Sequence, residues 1–316
     1  MSKRGKSLGG SPRGMVTIAT GDKHYYQIAA NLLLSYRTFS DNPLPFAIIA
    51  EEENEYTALF DDVIITNEAM RSFTDKFLLL KLCPYDESIF FDADCLAYGD
   101  LNKYWDCFEG ATDFSILGIN CGLEDNNGAW YNLDGIGKYA SLIQYKTRVH
   151  SGVIFIRQSN LLEKMYDDCI QLFRDFSSLT FHTCPSSVDE CIIGIAMPMN
   201  NMKAIDEKPN MIAAYPCLTK LKANIYRRQL EYSTPWHAYL KDGILLHWGT
   251  AQTKQPLYLF NVEGLKCLNY ESKSFWNTIW YKYGLRKIML IIKDYKYLLF
   301  FIKNKLHKIK IHLTGK

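Results

Sequence analysis

Short apolar runs alternate with amphipathic stretches along the first hundred residues. Met15–Ala19 predicts a buried strand, and Tyr25–Arg37 repeats its apolar residues at helical spacing. Pro45–Ala50 and Val63–Thr66 read as two further strands, and Phe73–Leu82 as a helix carrying Lys76 and Lys81. Ser88–Cys95 reads Ser-Ile-Phe-Phe-Asp-Ala-Asp-Cys behind the turn-like Cys83-Pro84-Tyr85-Asp86. Its aromatic and β-branched core, Ile89–Phe91, predicts a fourth strand. The alternation implies an α/β fold with a mostly parallel central sheet and flanking helices. Beyond Asp94 the pattern is less regular. Asp113–Gly118, Gly152–Ile156 and Gly243–Leu246 are strand-like, and Leu161–Phe176 and Val188–Ala196 are helical. Glu124–Ile136 is polar and rich in Asn and Gly, which predicts a long loop. There are no internal repeats and no low-complexity segment.

The fourth strand ends on two carboxylates, Asp92 and Asp94, one residue apart. Ligands of open α/β sheets collect at such strand ends. In extended chain, side chains two apart point to one side, so the pair is suited to one divalent cation with oxygen ligands. A bare Asp-x-Asp also fits two solvated turn aspartates.

Charge divides the chain into three. The net charge is +2, but residues from Lys282 onward hold ten Lys/Arg and one acid, and residues 1–14 hold four Lys/Arg and no acid. Residues 15–281 therefore carry 22 basic and 33 acidic side chains. An acidic body speaks against a nucleic-acid binder, whose basic patch belongs on the folded domain. The expected organisation is a disordered basic segment over 1–14, a catalytic domain over 15–270 and a basic helical tail over 271–316. In the tail, Ile288, Ile291, Tyr295, Leu298, Ile302, Leu306 and Ile309 recur at helical spacing, with lysines mostly elsewhere on the wheel. That pattern suits an anionic membrane surface, or a helix packed on the protein itself. The nine cysteines form no Cys-x-x-Cys pair, which implies buried thiols in a reducing compartment. No apolar h-region opens the chain and no run is long enough to span a bilayer. The expected location is the cytoplasm, peripheral to the inner face of the cell membrane.

Six further stretches, taken in order, carry a family resemblance. They are Thr20-Gly21-Asp22, Lys76, Phe91-Asp92-Ala93-Asp94, His150-Ser151-Gly152-Val153, Asp189-Glu190, and His247-Trp248-Gly249 with Lys254. In this order the chain resembles glycosyltransferase family 8, the GT-A-fold group of glycogenin and bacterial lipopolysaccharide galactosyl- and glucosyltransferases. The resemblance covers roughly Met15 to Tyr258.

The resemblance implies a diphosphate clamp. Asp92, Asp94 and His247 would ligate a divalent metal, with Mn²⁺ the best fit and Mg²⁺ second. The metal would neutralise the donor's phosphates and the leaving group. Ala93 would lie against the donor between the two ligands. Lys76 and Lys254 are the phosphate candidates. Lys254 sits one residue late relative to the family pattern, and Gly249 one residue early. Thr20, Asp22 and Tyr25 would form the base pocket, with Tyr25 stacking on the base. Asp22 also suits a helix cap. His150, Ser151 and Gly152 would face the donor sugar, with His150 in place of the family's asparagine. Asp189 would hold sugar hydroxyls. Glu190 replaces a family glutamine beneath the anomeric carbon, either as a nucleophile or as a stabiliser of positive charge in the transition state.

The expected activity is transfer of a hexose, with retention, from a nucleotide diphosphate sugar, UDP-glucose or UDP-galactose. The acceptor would be a hydroxyl of a glycan or lipid-linked glycan in surface-polysaccharide or lipopolysaccharide synthesis. The rival class is a non-catalytic sugar- or partner-binding module on the same fold. A haloacid-dehalogenase-type phosphatase is disfavoured, because its Asp-x-Asp lies on the first strand.

Overall fold

The computed structural model describes residues 11–270, apart from 127, 183–187, 207, 209, 236 and 237, with scattered residues between 280 and 289. The N-terminal segment up to residue 10 and most of the predicted tail helix lie outside the described residues. The chain divides into two compact units, one of residues 1–95 and 100–211, the other of 96–99 and 212–316.

The first unit opens with β1 (Arg13–Ala19), α1 (Lys23–Phe39), β2 (Phe46–Ala50), β3 (Asp62–Ile65), α2 (Leu79–Leu82) and β4 (Glu87–Phe91). After β5 (Cys95–Ala97), most of which belongs to the second unit, come α3 (Lys103–Cys107), β6 (Phe114–Cys121), β7 (Lys146–Arg157), α4 (Asn160–Arg174) and α5 (Val188–Met199). Six strands form one sheet in the order β3-β2-β1-β4-β7-β6. The neighbours from β3 to β4 are parallel, and β7 runs antiparallel to both β4 and β6. The expected mostly parallel α/β sheet is thus present.

Strand order matters for the site. β1, β2 and β3 step outward in one direction, and β4 then lies on the other side of β1. The order reverses between β1 and β4, and the crevice beyond their carboxyl ends is the place such sheets reserve for ligands.

Helices cover the sheet with the apolar stripes their sequences present. α4 buries Leu162, Met165, Cys169 and Leu172, a helical repeat, in one cluster with Ile192 and Ile195 of α5, Leu80 of α2, and Val16, Phe90 and Ile154 of the sheet. Gly194 lets α5 approach β7. A Cβ there would meet the Thr147 carbonyl oxygen at 3.1 Å, and the Thr147 hydroxyl donates to the Gly194 carbonyl at 2.8 Å.

The second unit contains a three-stranded sheet in the order β5, β11 (Leu245–His247), β8 (Ile212–Ala214). It also holds the antiparallel hairpin β9 (Lys220–Asn224) and β10 (Gln229–Ser233), and the helix α6 (Pro256–Tyr270). No helix among the described residues is long and apolar enough to cross a membrane. The described cysteines are free thiols, mostly buried, and burial pushes Cys83 up to about 12.

Candidate active site

Four segments of the first unit converge beyond the end of β4. Asp92 follows the strand, and its N–H donates to the Gly152 carbonyl of β7 at 3.1 Å. The Cys95 N–H returns to the Asp92 carbonyl at 3.0 Å, so Asp92 and Asp94 lie on a hydrogen-bonded turn. The extended geometry expected for the pair is replaced there by this turn, which the strand needs in order to leave the sheet. Asp94 is buried, with 8% exposure.

Lys76 is the hub. Its segment, predicted as one helix over Phe73–Leu82, is a 3-10 turn over Phe73–Leu78 that passes into α2. The tighter winding accompanies two tertiary commitments, at Asp75 and at Lys76. The Lys76 ammonium donates to Asp92 Oδ2 at 2.9 Å and to Ser151 Oγ at 2.8 Å, and lies 3.1 Å from Asp189 Oδ2. Its side chain is only 10% exposed and that of Asp189 only 2%. Burial works against the lysine's charge, but the carboxylates of Asp189 and Asp92, the bond to Asp92 and the field of Glu190 outweigh it and raise its pKa. Lys76 therefore meets the carboxylates of Asp92 and Asp189.

Ser151 links the acids. Its hydroxyl donates to Asp189 Oδ2 at 2.7 Å, and its N–H donates to Glu190 Oε1 at 3.0 Å. Asp189 and Glu190 form the first turn of α5, where the helix dipole favours carboxylates. A register slip presents Ser151. Ile116 of β6 pairs with Ile154, but Leu117 pairs with His150, so Ser151, Gly152 and Val153 stand out of register with β6. Such irregularities re-aim side chains at functional edges. Gly152 keeps its carbonyl on Asp92.

The loop after β1 forms the other half of the crevice. The Thr20 hydroxyl donates to Asp75 Oδ2 at 2.6 Å, and the same buried carboxylate accepts from the N–H groups of Met70 and Arg71. Asp22 caps α1, accepting from the His24 N–H at 2.7 Å. Tyr25, in the first turn of α1, is exposed, whereas Tyr26 is buried in the core.

No family model and no curated protein sequence matches the chain. Among solved structures, the galactosyltransferase LgtC in complex with donor and acceptor sugar analogs is similar over 83% of this chain and 96% of its own, with 12% identity and a TM-score of 0.50. The chain has the GT-A fold. The bifunctional glycosyltransferase WbbM matches 67% of this chain with 12% identity and a TM-score of 0.43. GlyE of Streptococcus pneumoniae matches 63% with 12% identity and a TM-score of 0.42. The chain spans 42% of WbbM and 46% of GlyE, less than half of either.

Within this GT-A fold, Thr20, Asp22, Lys76, Asp92, Ala93, Asp94, His150, Ser151, Gly152, Asp189 and Glu190 all belong to the first unit. His247 and Lys254 belong to the second. His247 is the last residue of β11, and β11 neighbours β5, the strand that begins directly after Asp94. Lys254 is exposed at the end of the 3-10 turn that follows.

Two residues of the crevice escaped the sequence reading. Glu51, the first residue after β2, accepts from the Gly21 N–H at 2.5 Å and from Arg71 Nε at 3.0 Å. Arg71 holds a left-handed φ of 55° and lays its aliphatic stem against Gly21. A signal for Glu51 existed, since an acid at the end of the second strand of a nucleotide-binding α/β sheet commonly faces a ribose. Arg71 left no such signal, because its place depends on a loop conformation.

Proposed function

We propose that the protein is a metal-dependent glycosyltransferase that moves a hexose from a UDP-sugar to a hydroxyl of a glycan acceptor with retention. One observation carries this reading. At the switch point of a GT-A fold, the ammonium of Lys76 faces Asp92, Asp189 and Glu190, with Asp94 two residues beyond Asp92. Carboxylate oxygens gathered at the end of a strand suit a divalent cation. The donor set of two carboxylates and an imidazole suits Mn²⁺, with Mg²⁺ second. Asp92 and Asp94 are the metal-ligand candidates of the first unit, and His247 and Lys254 are the metal and phosphate candidates of the second. Such an ion would supply Lewis-acid stabilisation of a departing diphosphate.

The chain's own residues do the rest. Thr20, Glu51 and Arg71 shape the loop against which a nucleoside would lie, and Tyr25 offers an exposed ring. Gly152 gives a sugar close approach to backbone. His150 and Asp189 supply groups for sugar hydroxyls. Glu190, held by the Ser151 N–H, places a carboxylate to stabilise positive charge at the anomeric carbon. The basic C-terminal segment attaches the enzyme to an anionic membrane surface on the cytoplasmic side, where a lipid-linked acceptor in surface-polysaccharide or lipopolysaccharide synthesis would be presented.

A thermal-shift screen of nucleotide sugars with and without Mn²⁺ tests the proposal. Metal-dependent stabilisation by one UDP-hexose supports it. No response from any donor overturns it. Stabilisation without turnover to any acceptor or water would favour a binding module on the same fold. Sedimentation with anionic vesicles, compared with neutral ones, tests the membrane attachment.

A further inference from the structure

The second unit carries a basic hairpin of its own, β9–β10. Residues 219–242 hold five Lys/Arg against two acids, on a chain whose residues 15–281 hold more acids than bases. The hairpin buries Ala223, Leu230 and Tyr232. Strand alternation then puts Lys220 and Lys222 on its other face, and both are exposed. Lys222 pairs with Glu231 across the hairpin at 3.3 Å, whereas Lys220, Arg227 and Lys241 have no ion-pair partner among the described residues. Arg227 and Arg228 are exposed at the turn, where Arg228 holds a left-handed φ of 51° between the 3-10 turn Ile225–Arg227 and β10.

The turn is fixed to the start of the C-terminal segment. The Asn224 side-chain amide donates to the Tyr281 carbonyl at 2.9 Å, and the Tyr226 and Tyr281 rings stack with centroids 5.8 Å apart. Tyr281 also stacks on Phe260 of α6 at 5.9 Å. α6 in turn holds the hairpin, because its buried Asn261 accepts from the Ile225 N–H at 2.8 Å. A Cβ on Gly264 of α6 would meet the Tyr281 ring at 3.4 Å and Ile225 and Tyr226 at 3.5 Å, so helix, turn and Tyr281 meet at one point.

Beyond Tyr281, Leu285, Ile288 and Met289 have helical backbone, and 40%, 54% and 45% of their surfaces are exposed. Spacings of three and four residues set them on one side of a helix. The second unit thus presents a basic rim and, a few residues beyond the stacked tyrosines, an apolar stripe. That pairing matches a surface that is anionic outside and hydrocarbon within. A nucleic acid or an acidic glycan would satisfy the rim and give the stripe nothing to enter.

We propose that the β9–β10 hairpin and the stripe of Leu285, Ile288 and Met289 form one docking surface for an anionic lipid bilayer. The proposal rests on the membrane attachment read above and extends it, since it places folded residues of the second unit at the headgroups. Lys220, Arg227, Arg228 and Lys241 would face lipid phosphates, and the stripe would enter the acyl boundary. Because Asn224 and Tyr226 hold Tyr281, hairpin and stripe would engage together and set one orientation of the second unit on the bilayer.

Sedimentation of the full chain with vesicles tests the proposal, using equal parts of phosphatidylglycerol and phosphatidylcholine against phosphatidylcholine alone. Lys220→Gln/Arg227→Gln should weaken binding to the anionic vesicles by about tenfold or more. Ile288→Ser/Met289→Ser should weaken it by about as much, because the apolar area that entered the bilayer is lost. Both variants alter exposed side chains and should keep the wild-type melting temperature and nucleotide-sugar thermal shift. Lys303→Gln/Lys305→Gln/Lys308→Gln examines the tail separately. Binding that falls in the tail variant but not in the hairpin variant overturns the proposal and leaves attachment by the tail standing. A fall in the hairpin variant with none in the tail variant does the reverse. Wild-type protein that ignores anionic vesicles overturns both. Self-association of the chain that Ile288→Ser/Met289→Ser abolishes would put a second copy on the stripe and also overturn the proposal.

Discussion

The Lys76 ammonium donates to the Asp92 carboxylate at 2.9 Å, across sixteen residues of sequence and on the crevice side of the sheet. That bond ties the segment before α2 to the end of β4, and through Ser151 it reaches β7 and α5. Removing one partner of a buried ion pair costs about 3–5 kcal/mol, because the other charge is left uncompensated. Lys76→Met should lose stability of that order, measured by urea unfolding at neutral pH. The sign with pH follows from the raised pKa of Lys76. Its contribution is fully present below the unfolded lysine value and is lost as pH rises through the higher folded value. A deficit far below that range at neutral pH would show that the buried pair is not what holds these segments together.

Asp75 serves a different cluster. It is buried and accepts from Thr20 Oγ1, Met70 N and Arg71 N. Asp75→Ala should cost about 1–3 kcal/mol in urea unfolding, the penalty of stranding buried donors, and should weaken uridine nucleotide binding in a calorimetric titration. Unchanged nucleotide affinity in a destabilised variant would separate this loop from the base pocket.

Glu190 distinguishes two chemistries. Because its Oε1 accepts from the Ser151 N–H, Glu190→Gln can keep the same hydrogen bond with its amide oxygen. If the carboxylate stabilises charge, Glu190→Gln should retain turnover within about tenfold, and Glu190→Ala should fall by about 10²-fold or more. A covalent nucleophile predicts loss in both variants. Donor hydrolysis rates at saturating Mn²⁺ make the comparison.

Metal removal should act on donor binding more than on folding, because Lys76 already holds Asp92 and Asp189. EDTA should abolish the UDP-sugar thermal shift and leave the donor-free melting temperature almost unchanged. Asp94→Asn should reproduce the EDTA result. A large fall in donor-free stability with EDTA would mean that the ion is structural.

Much of this arrangement was legible in the residues. The strand ending at Phe91 is announced by its aromatic run, and α1 by its apolar period. Asp189 and Glu190 do open α5, where their charge suits a helix start. β5 and β8 were not legible, because strands of three residues carry too little period to read. The hairpin of β9 and β10 was hidden for another reason, since its strands bear exposed lysines and a half-buried glutamate. Within the site, the hydrogen bond from Lys76 to Asp92 left no trace in the sequence. A lysine two residues after a threonine reads the same whether it meets a phosphate or an aspartate. Only the convergence of segments 16 and 75 residues apart decides it.

The bonds among Lys76, Asp92, Ser151, Asp189 and Glu190 are complete within the protein itself. The carboxylates are therefore positioned before any substrate arrives, and an incoming donor would meet a finished mould. Little side-chain freedom remains to be lost on binding, so more of the contact energy appears as affinity. The lysine at the centre of these bonds would thus help to set how tightly a substrate is held.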